Sequence, residues 1–128
     1  MRFGYTLLYV RDVEETVGFY ESVFGLCRKF VHEGGYGEMD TGPTKLGFVS
    51  HEVARASGLA YAEPDAQGPP PAVEIALVTE DVAAAYETAV KLGAHAVAPP
   101  KEKPWGQTVA YVRDLNGFLV EICSPMPE

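Results

Sequence analysis

The sequence repeats itself, and the repeat restricts the chain to folds with internal twofold character. Tyr9-Val10-Arg11-Asp12-Val13 runs into a helix-like stretch ending at Gly25, and Val78-Thr79-Glu80-Asp81-Val82 runs into another ending at Gly93. An apolar strand precedes each, Tyr5 to Val10 and Glu74 to Val78. Each unit closes on an apolar strand ending in serine, Lys45 to Ser50 and Leu119 to Ser124. Two copies of one unit usually pack around a pseudo-twofold axis, and the groove between them is a natural ligand site. Aligning the copies pairs Tyr5 with Glu74 and Gly47 with Glu121. The second copy therefore carries carboxylates at positions where the first carries none.

Local signals divide each copy in the same way. Asp12 reads as a helix N-cap, with Glu15 completing a capping box. Val13, Val17, Tyr20 and Phe24 then form one helical face, and Gly25 closes the helix as a C′ glycine. Strands are expected over 26–32, 36–41 and 44–50, with Gly34-Gly35 and Gly42-Pro43 at the turns. Gly34-Gly35-Tyr36-Gly37 lacks the lysine and following helix of a phosphate loop and reads as a flexible hairpin flap. Residues 51–71 read as a linker with a short helix near 51–58, ending in Gly68-Pro69-Pro70-Pro71. In the second copy a strand over 72–79 leads to the N-cap Asp81. Val82, Ala85, Tyr86, Ala89 and Val90 make the helical stripe. A strand over 94–98, a stiff loop Pro99 to Pro104, a strand over 106–113, the turn Asp114-Leu115-Asn116-Gly117 and a last strand over 118–123 complete the plan.

The 128 residues fit one domain, since domains run to about 100–200 residues. A net charge of −8 argues against nucleic acid as a partner, because phosphate binding needs a basic face. No stretch approaches the ~18–20 apolar residues of a membrane span, and no basic-then-apolar leader precedes the first strand. Cys27 and Cys123 are too few and too far apart for a disulfide framework or a cysteine metal site, so a reducing cytoplasm is the expected location.

The motifs Tyr9–Val13 through Phe19-Tyr20 to Phe24-Gly25-Leu26, and Ala110-Tyr111-Val112-Arg113-Asp114-Leu115-Asn116-Gly117-Phe118-Leu119-Val120-Glu121, resemble the vicinal oxygen chelate superfamily. That superfamily includes glyoxalase I, extradiol dioxygenases and the fosfomycin- and bleomycin-resistance proteins. Leu115 stands where the family's turn commonly has proline. The resemblance implies an α+β fold: two tandem β-α-β-β-β units, 1–50 and 72–128, whose curved mixed sheets form a half-open barrel with a central cleft. It also implies a homodimer that binds a small organic molecule. Metal-dependent members carry His, Glu or Gln on the first and last strand of each unit. In this chain those positions are Tyr5, Gly47, Glu74 and Glu121.

Strand alternation puts Glu74 with Ala76 and Val78 on one face, and Glu121 with Leu119 and Cys123. If the opposite face packs on the helices, both glutamates point into the cleft, where a carboxylate must be paired, protonated or bound to something. Four readings follow. Glu74 and Glu121 hold a divalent metal (Mn, Fe, Ni or Zn), with lyase or dioxygenase chemistry. The pair instead recognises a cationic or hydrogen-bonding ligand without metal. Glu121 acts as general base of a metal-free enzyme. Or the pair is structural, accepting hydrogen bonds from Tyr5 or Gln107. Trp105, beside Gly106, is placed to stack on a planar ligand. Gln107 and Tyr111 alternate along a strand face that lines the cavity, while Arg113 reads as a surface residue and Cys123 as a buried thiol.

Overall fold

Alternating apolar residues and well-capped helices build two compact units, Met1–Glu63 and Pro64–Glu128, in a computed structural model that describes residues 1–128. The first unit runs β1 (Tyr5–Val10), α1 (Val13–Phe24), β2 (Arg28–His32), β3 (Tyr36–Met39), β4 (Lys45–Ser50) and α2 (His51–Ala56). The second runs β5 (Glu74–Val78), α3 (Val82–Lys91), β6 (His95–Glu102), β7 (Thr108–Arg113) and β8 (Leu119–Cys123). Their sheets have the same topology, β1-β4-β3-β2 and β5-β8-β7-β6. In each, the first pair is parallel and the rest antiparallel. The sheets are open, mixed and four-stranded, and the fold class is α+β.

The ladders confirm the repeat residue by residue. Leu7 lies opposite Gly47 and Ala76 opposite Glu121, so Tyr5 and Glu74 hold equivalent positions, as do Gly47 and Glu121. Likewise Glu38 pairs with Gly47 as Tyr111 pairs with Glu121. The equivalence extends to an irregularity. Lys29 is an extra residue between the Arg28–Met39 and Phe30–Glu38 pairs, and Val97 is the extra residue between Ala96–Val112 and Ala98–Tyr111. Each is a β-bulge, which bends the strand locally and re-aims its side chains.

Helix α1 forms where the pattern places it. The Asp12 carboxylate accepts the Glu15 N–H, and Gly25 takes the left-handed conformation (φ 71°) that a residue with a Cβ adopts only at a cost. The capping box is half made, because the Glu15 carboxylate turns to Arg11 at 3.4 Å. Val13, Val17 and Tyr20 are buried, and Tyr20 packs on Phe48 of β4 with ring centroids 4.9 Å apart. Gly37 is required beneath them: a Cβ there would lie 2.8 Å from both Val13 Cγ1 and Val17 Cγ2. In the second unit Asp81 caps α3 through the Ala84 N–H. Its buried Val82 and Ala89, with Ala110, Val112, Val120 and Ile122, make the core.

Three local expectations need correction. The Pro99-Pro100 stretch is not a loop, for β6 continues through it to Glu102. Proline is tolerated because β6 is the edge of its sheet, and a second irregularity between Ala98 and Lys101 absorbs it. Gly34–Gly37 does belong to a hairpin, but to a tight, hydrogen-bonded one. Glu33 (φ 50°) and Gly34 form a two-residue turn closed by Gly35 N–H to the His32 carbonyl, and the Ser50 N–H is bonded to the Gly35 carbonyl. Tyr36 and Gly37 already belong to β3. Arg113 is not a loose surface residue. Its guanidinium donates to the carbonyls of Gly117 (2.8 Å), Gly68 (2.7 Å) and Asp65 (3.1 Å), fastening residues 65–68 to the β7–β8 turn.

In the first unit, the stretch after α2 is also anchored. Tyr61 lies 2.6 Å from His51 Nδ1 and packs on Tyr9, while Glu63 pairs with Arg55 and, at 3.5 Å, with His51. No helix is long and apolar enough to cross a membrane.

Candidate functional site

One face of the second sheet is taken by α3, and alternation sends Glu74, Tyr111, Glu121 and Cys123 to the other. Tyr111 stands directly across from Glu121, and its hydroxyl donates to Glu121 Oε1 at 3.2 Å. The expected donor was Tyr5 or Gln107, and Tyr111 has that role instead. Gln107 is committed elsewhere: it is buried, its amide N–H donates to the Ser124 carbonyl at 2.9 Å, and its oxygen accepts the Trp105 indole N–H at 2.9 Å. Gln107 therefore holds Trp105, which remains 55 % exposed on the β6–β7 loop. Tyr5 lies on β1 of the first unit, 61 % exposed.

The electrostatics follow from two carboxyls side by side. Burial, and then the neighbouring Glu121 charge and hydrogen bond, raise the Glu74 pKa above the ordinary carboxylate value. Burial and then Glu121 also raise Tyr111, which keeps its phenol a proton donor. The Cys123 thiol, buried and beside Glu121, is pushed up to about 11 and stays neutral at physiological pH. The cluster is thus a carboxyl pair that favours holding a proton, flanked by two neutral donors.

The resemblance implied a divalent metal, and the donor set does not fit one. Transition-metal sites draw on about three or more ligating side chains. Here Glu74 and Glu121 are joined only by a protonated thiol and a protonated phenol, and Gly47 contributes no side chain. No group of three or more His, Cys, Asp or Glu converges in metal-ligating geometry anywhere in the chain.

The first unit holds a carboxylate that the strand-position alignment missed. Glu38, only 5 % exposed, lies on the helix-free face opposite Gly37. It accepts the Tyr36 hydroxyl at 2.8 Å and pairs with the Lys29 ammonium at 3.4 Å. Burial and then Glu38 raise the Tyr36 pKa strongly. Gly47 is what makes room: a Cβ there would lie 2.9 Å from the Tyr36 hydroxyl and 2.8 Å from Leu7 Cδ2. The first unit did not lose an acid at Gly47, because it carries one on the adjacent strand. Alternation in β3 was the available signal, obscured by the glycine-rich run before it.

Residues 2–122 match the family model described as Glyoxalase/Bleomycin resistance protein/Dioxygenase superfamily. The chain belongs to this superfamily. Solved structures of glyoxalase-like proteins share its fold. A glyoxalase-related enzyme from Fulvimarina pelagi superposes with a TM-score of 0.81 at 20% identity, covering 98% of this chain and 88% of that one. A glyoxalase/bleomycin resistance protein/dioxygenase from Nocardioides gives 0.77 at 21%, covering 100% and 88%. TioX from Micromonospora sp. ML1 gives 0.71 at 23%, covering 97% and 98%. No curated protein matches the sequence. At these identities the likeness shows the glyoxalase-like fold, and function has to be argued from the site.

Proposed function

We propose that this superfamily member binds a small organic molecule on the helix-free face of its second unit, through Glu74, Tyr111 and Glu121, without a complete metal site. The observation carrying this reading is the hydrogen-bonded Tyr111–Glu121 pair beside Glu74. Glu74 is exposed and Glu121 half-buried, so both carboxyls are accessible to a ligand from solvent. The arrangement offers a ligand two acceptors and a phenol donor, and Glu121 is placed to take a proton from a bound molecule. Trp105, held by Gln107, provides an exposed indole for stacking in the same unit.

Ligand-observed NMR with a library of small polar aromatics tests the reading. Hits are expected whose signal is lost in the Glu121→Gln, Tyr111→Phe double variant. A library in which every hit binds the double variant equally well would remove the site. Mn²⁺ titration gives the second arm, with no stoichiometric line broadening expected at the Glu74 and Glu121 amides. Saturable broadening there at one equivalent would restore the metal reading.

A further inference from the structure

The groove between helix and edge strand is closed in the first unit and open in the second. It lies on the side of the sheet away from Glu74 and Glu121. In the first unit Arg28, on the edge strand β2, reaches over α1 and donates to Glu14 at 2.7 Å and to Glu21 at 2.8 Å. These three side chains bridge strand to helix. Their equivalents follow from the caps and the ladders. Asp12 and Asp81 each cap a helix, so Glu14 corresponds to Ala83 and Glu21 to Val90. Arg28 pairs with Met39 just before the bulge, as Ala96 pairs with Val112. Every member of the bridge is therefore a short apolar residue in the second unit. Ala83 and Val90 instead line an open groove of about 580 Å³ between α3 and β6, with Tyr86, Glu87, Lys91 and Pro100. That volume suits a small molecule.

The groove also carries two charges. Glu87 and Lys91 are exposed, and they stand where α1 has the uncharged Gly18 and Ser22. Four residues apart, with the glutamate first, they are spaced to pair across one helical turn. Arg11 and Glu15, at the same spacing, do pair, at 3.4 Å. Glu87 and Lys91 pair neither with each other nor with any other side chain. The groove thus presents one carboxylate and one ammonium beside an apolar surface.

We infer that this groove binds an apolar amino acid, with its ammonium on Glu87, its carboxylate on Lys91 and its side chain against Ala83, Val90 and Pro100. A ligand with a single charge would meet one attractive and one repulsive group within a helical turn, whereas a zwitterion meets two attractive ones. The inference does not rest on the site of Glu74, Tyr111 and Glu121, which belongs to the helix-free face.

The test uses L-phenylalanine with two analogues that each lack one charge, phenethylamine and 3-phenylpropanoate. Each is titrated into the ¹⁵N-labelled full chain. Phenylalanine is expected to shift the amides of Ala83, Glu87, Val90 and Lys91 saturably. It should bind at least about threefold more tightly than either analogue, as one further exposed charge contact allows. Lys91→Gln should remove its advantage over phenethylamine, and Glu87→Gln its advantage over 3-phenylpropanoate. Ala83→Glu with Ala96→Arg rebuilds one arm of the first unit's bridge at two exposed positions and should abolish the shifts. Equal affinity for the three compounds overturns the amino-acid inference. Shifts at Glu74 and Glu121 with the α3 amides unmoved overturn the groove and favour the sheet face. If no compound moves the α3 amides, the inference fails and the reading of the sheet face is untouched. A folded Ala83→Glu, Ala96→Arg variant that binds phenylalanine as before also removes the groove as its site. The comparison of the three compounds in the unaltered chain decides the matter even if that variant does not fold.

Discussion

In the first unit the carboxylate on the helix-free face, Glu38, is buried and has Tyr36 and Lys29 as partners. In the second unit Glu121 has Tyr111 and a second carboxyl, Glu74. The same topology, register and bulge therefore carry one closed and one open electrostatic arrangement. What differs is five side chains at equivalent positions: Gly47 against Glu121, Glu38 against Tyr111, Lys29 against Val97, Tyr5 against Glu74, and Tyr36 against Val109. A saturated site contributes stability and little recognition, whereas an unsaturated one is available to a ligand.

The largest expected effect tests how tightly the first unit is built. Gly37→Val should destabilise the protein by about 3 kcal/mol, since the added atoms meet Val13 and Val17 at 2.8 Å or less. The equivalent Ala110 of the second unit already carries a Cβ, so Ala110→Gly should cost about 1 kcal/mol. Urea unfolding compares the two, and equal effects would break the asymmetry. Next, Tyr36→Phe removes a hydrogen bond from a buried carboxyl that also pairs with Lys29, and should cost about 2 kcal/mol. Tyr111→Phe, acting on a longer bond at a half-buried pair, should cost about 0.5–1 kcal/mol. The reverse order would mean that the second site, not the first, is the structural one.

The smallest effect is a pH dependence. Glu74 has a folded pKa raised above its unfolded value, so its stabilising contribution is complete below the unfolded pKa, about 4.3. That contribution is lost as pH rises through the raised folded value. Glu121→Gln removes the neighbouring charge and should bring Glu74 back toward the ordinary range, as a ¹³C carboxyl titration would record. Across the same window the unaltered protein should lose stability relative to Glu121→Gln. A flat difference between the two would mean that the carboxyls do not interact.

Much of this could be read from the residues. The caps Asp12 and Asp81, the helical face of Val13, Val17 and Tyr20, and the pairing of Tyr5 with Glu74 and Gly47 with Glu121 all follow from local chemistry and repetition, and the ladders agree. Alternation also put Glu74 and Glu121 on one face. Glu38 escaped because the comparison of copies looked only at first and last strands, while its meaning comes from a cross-strand neighbour, Gly47. Tyr111 was named as a lining residue, but its bond to Glu121 depends on a register that no single strand encodes. The two bulges were invisible for the same reason. The Pro99-Pro100 strand was misread because proline's missing donor excludes it from a sheet interior but not from an edge.

That edge has a further consequence. Pro99 and Pro100 leave two successive residues of edge strand β6 without a backbone donor, which makes it a poorer template for another strand to add to. The corresponding edge of the first unit, β2, carries Arg28 and Lys29 instead, and charge discourages the same growth there. The two copies thus guard equivalent borders by different means, one by removing hydrogen-bond donors and one by charged side chains held in ion pairs, Arg28 with Glu14 and Glu21 and Lys29 with Glu38. High salt should weaken the protection of β2 and leave that of β6 intact, so any strand-mediated self-association at high ionic strength should begin at the first unit.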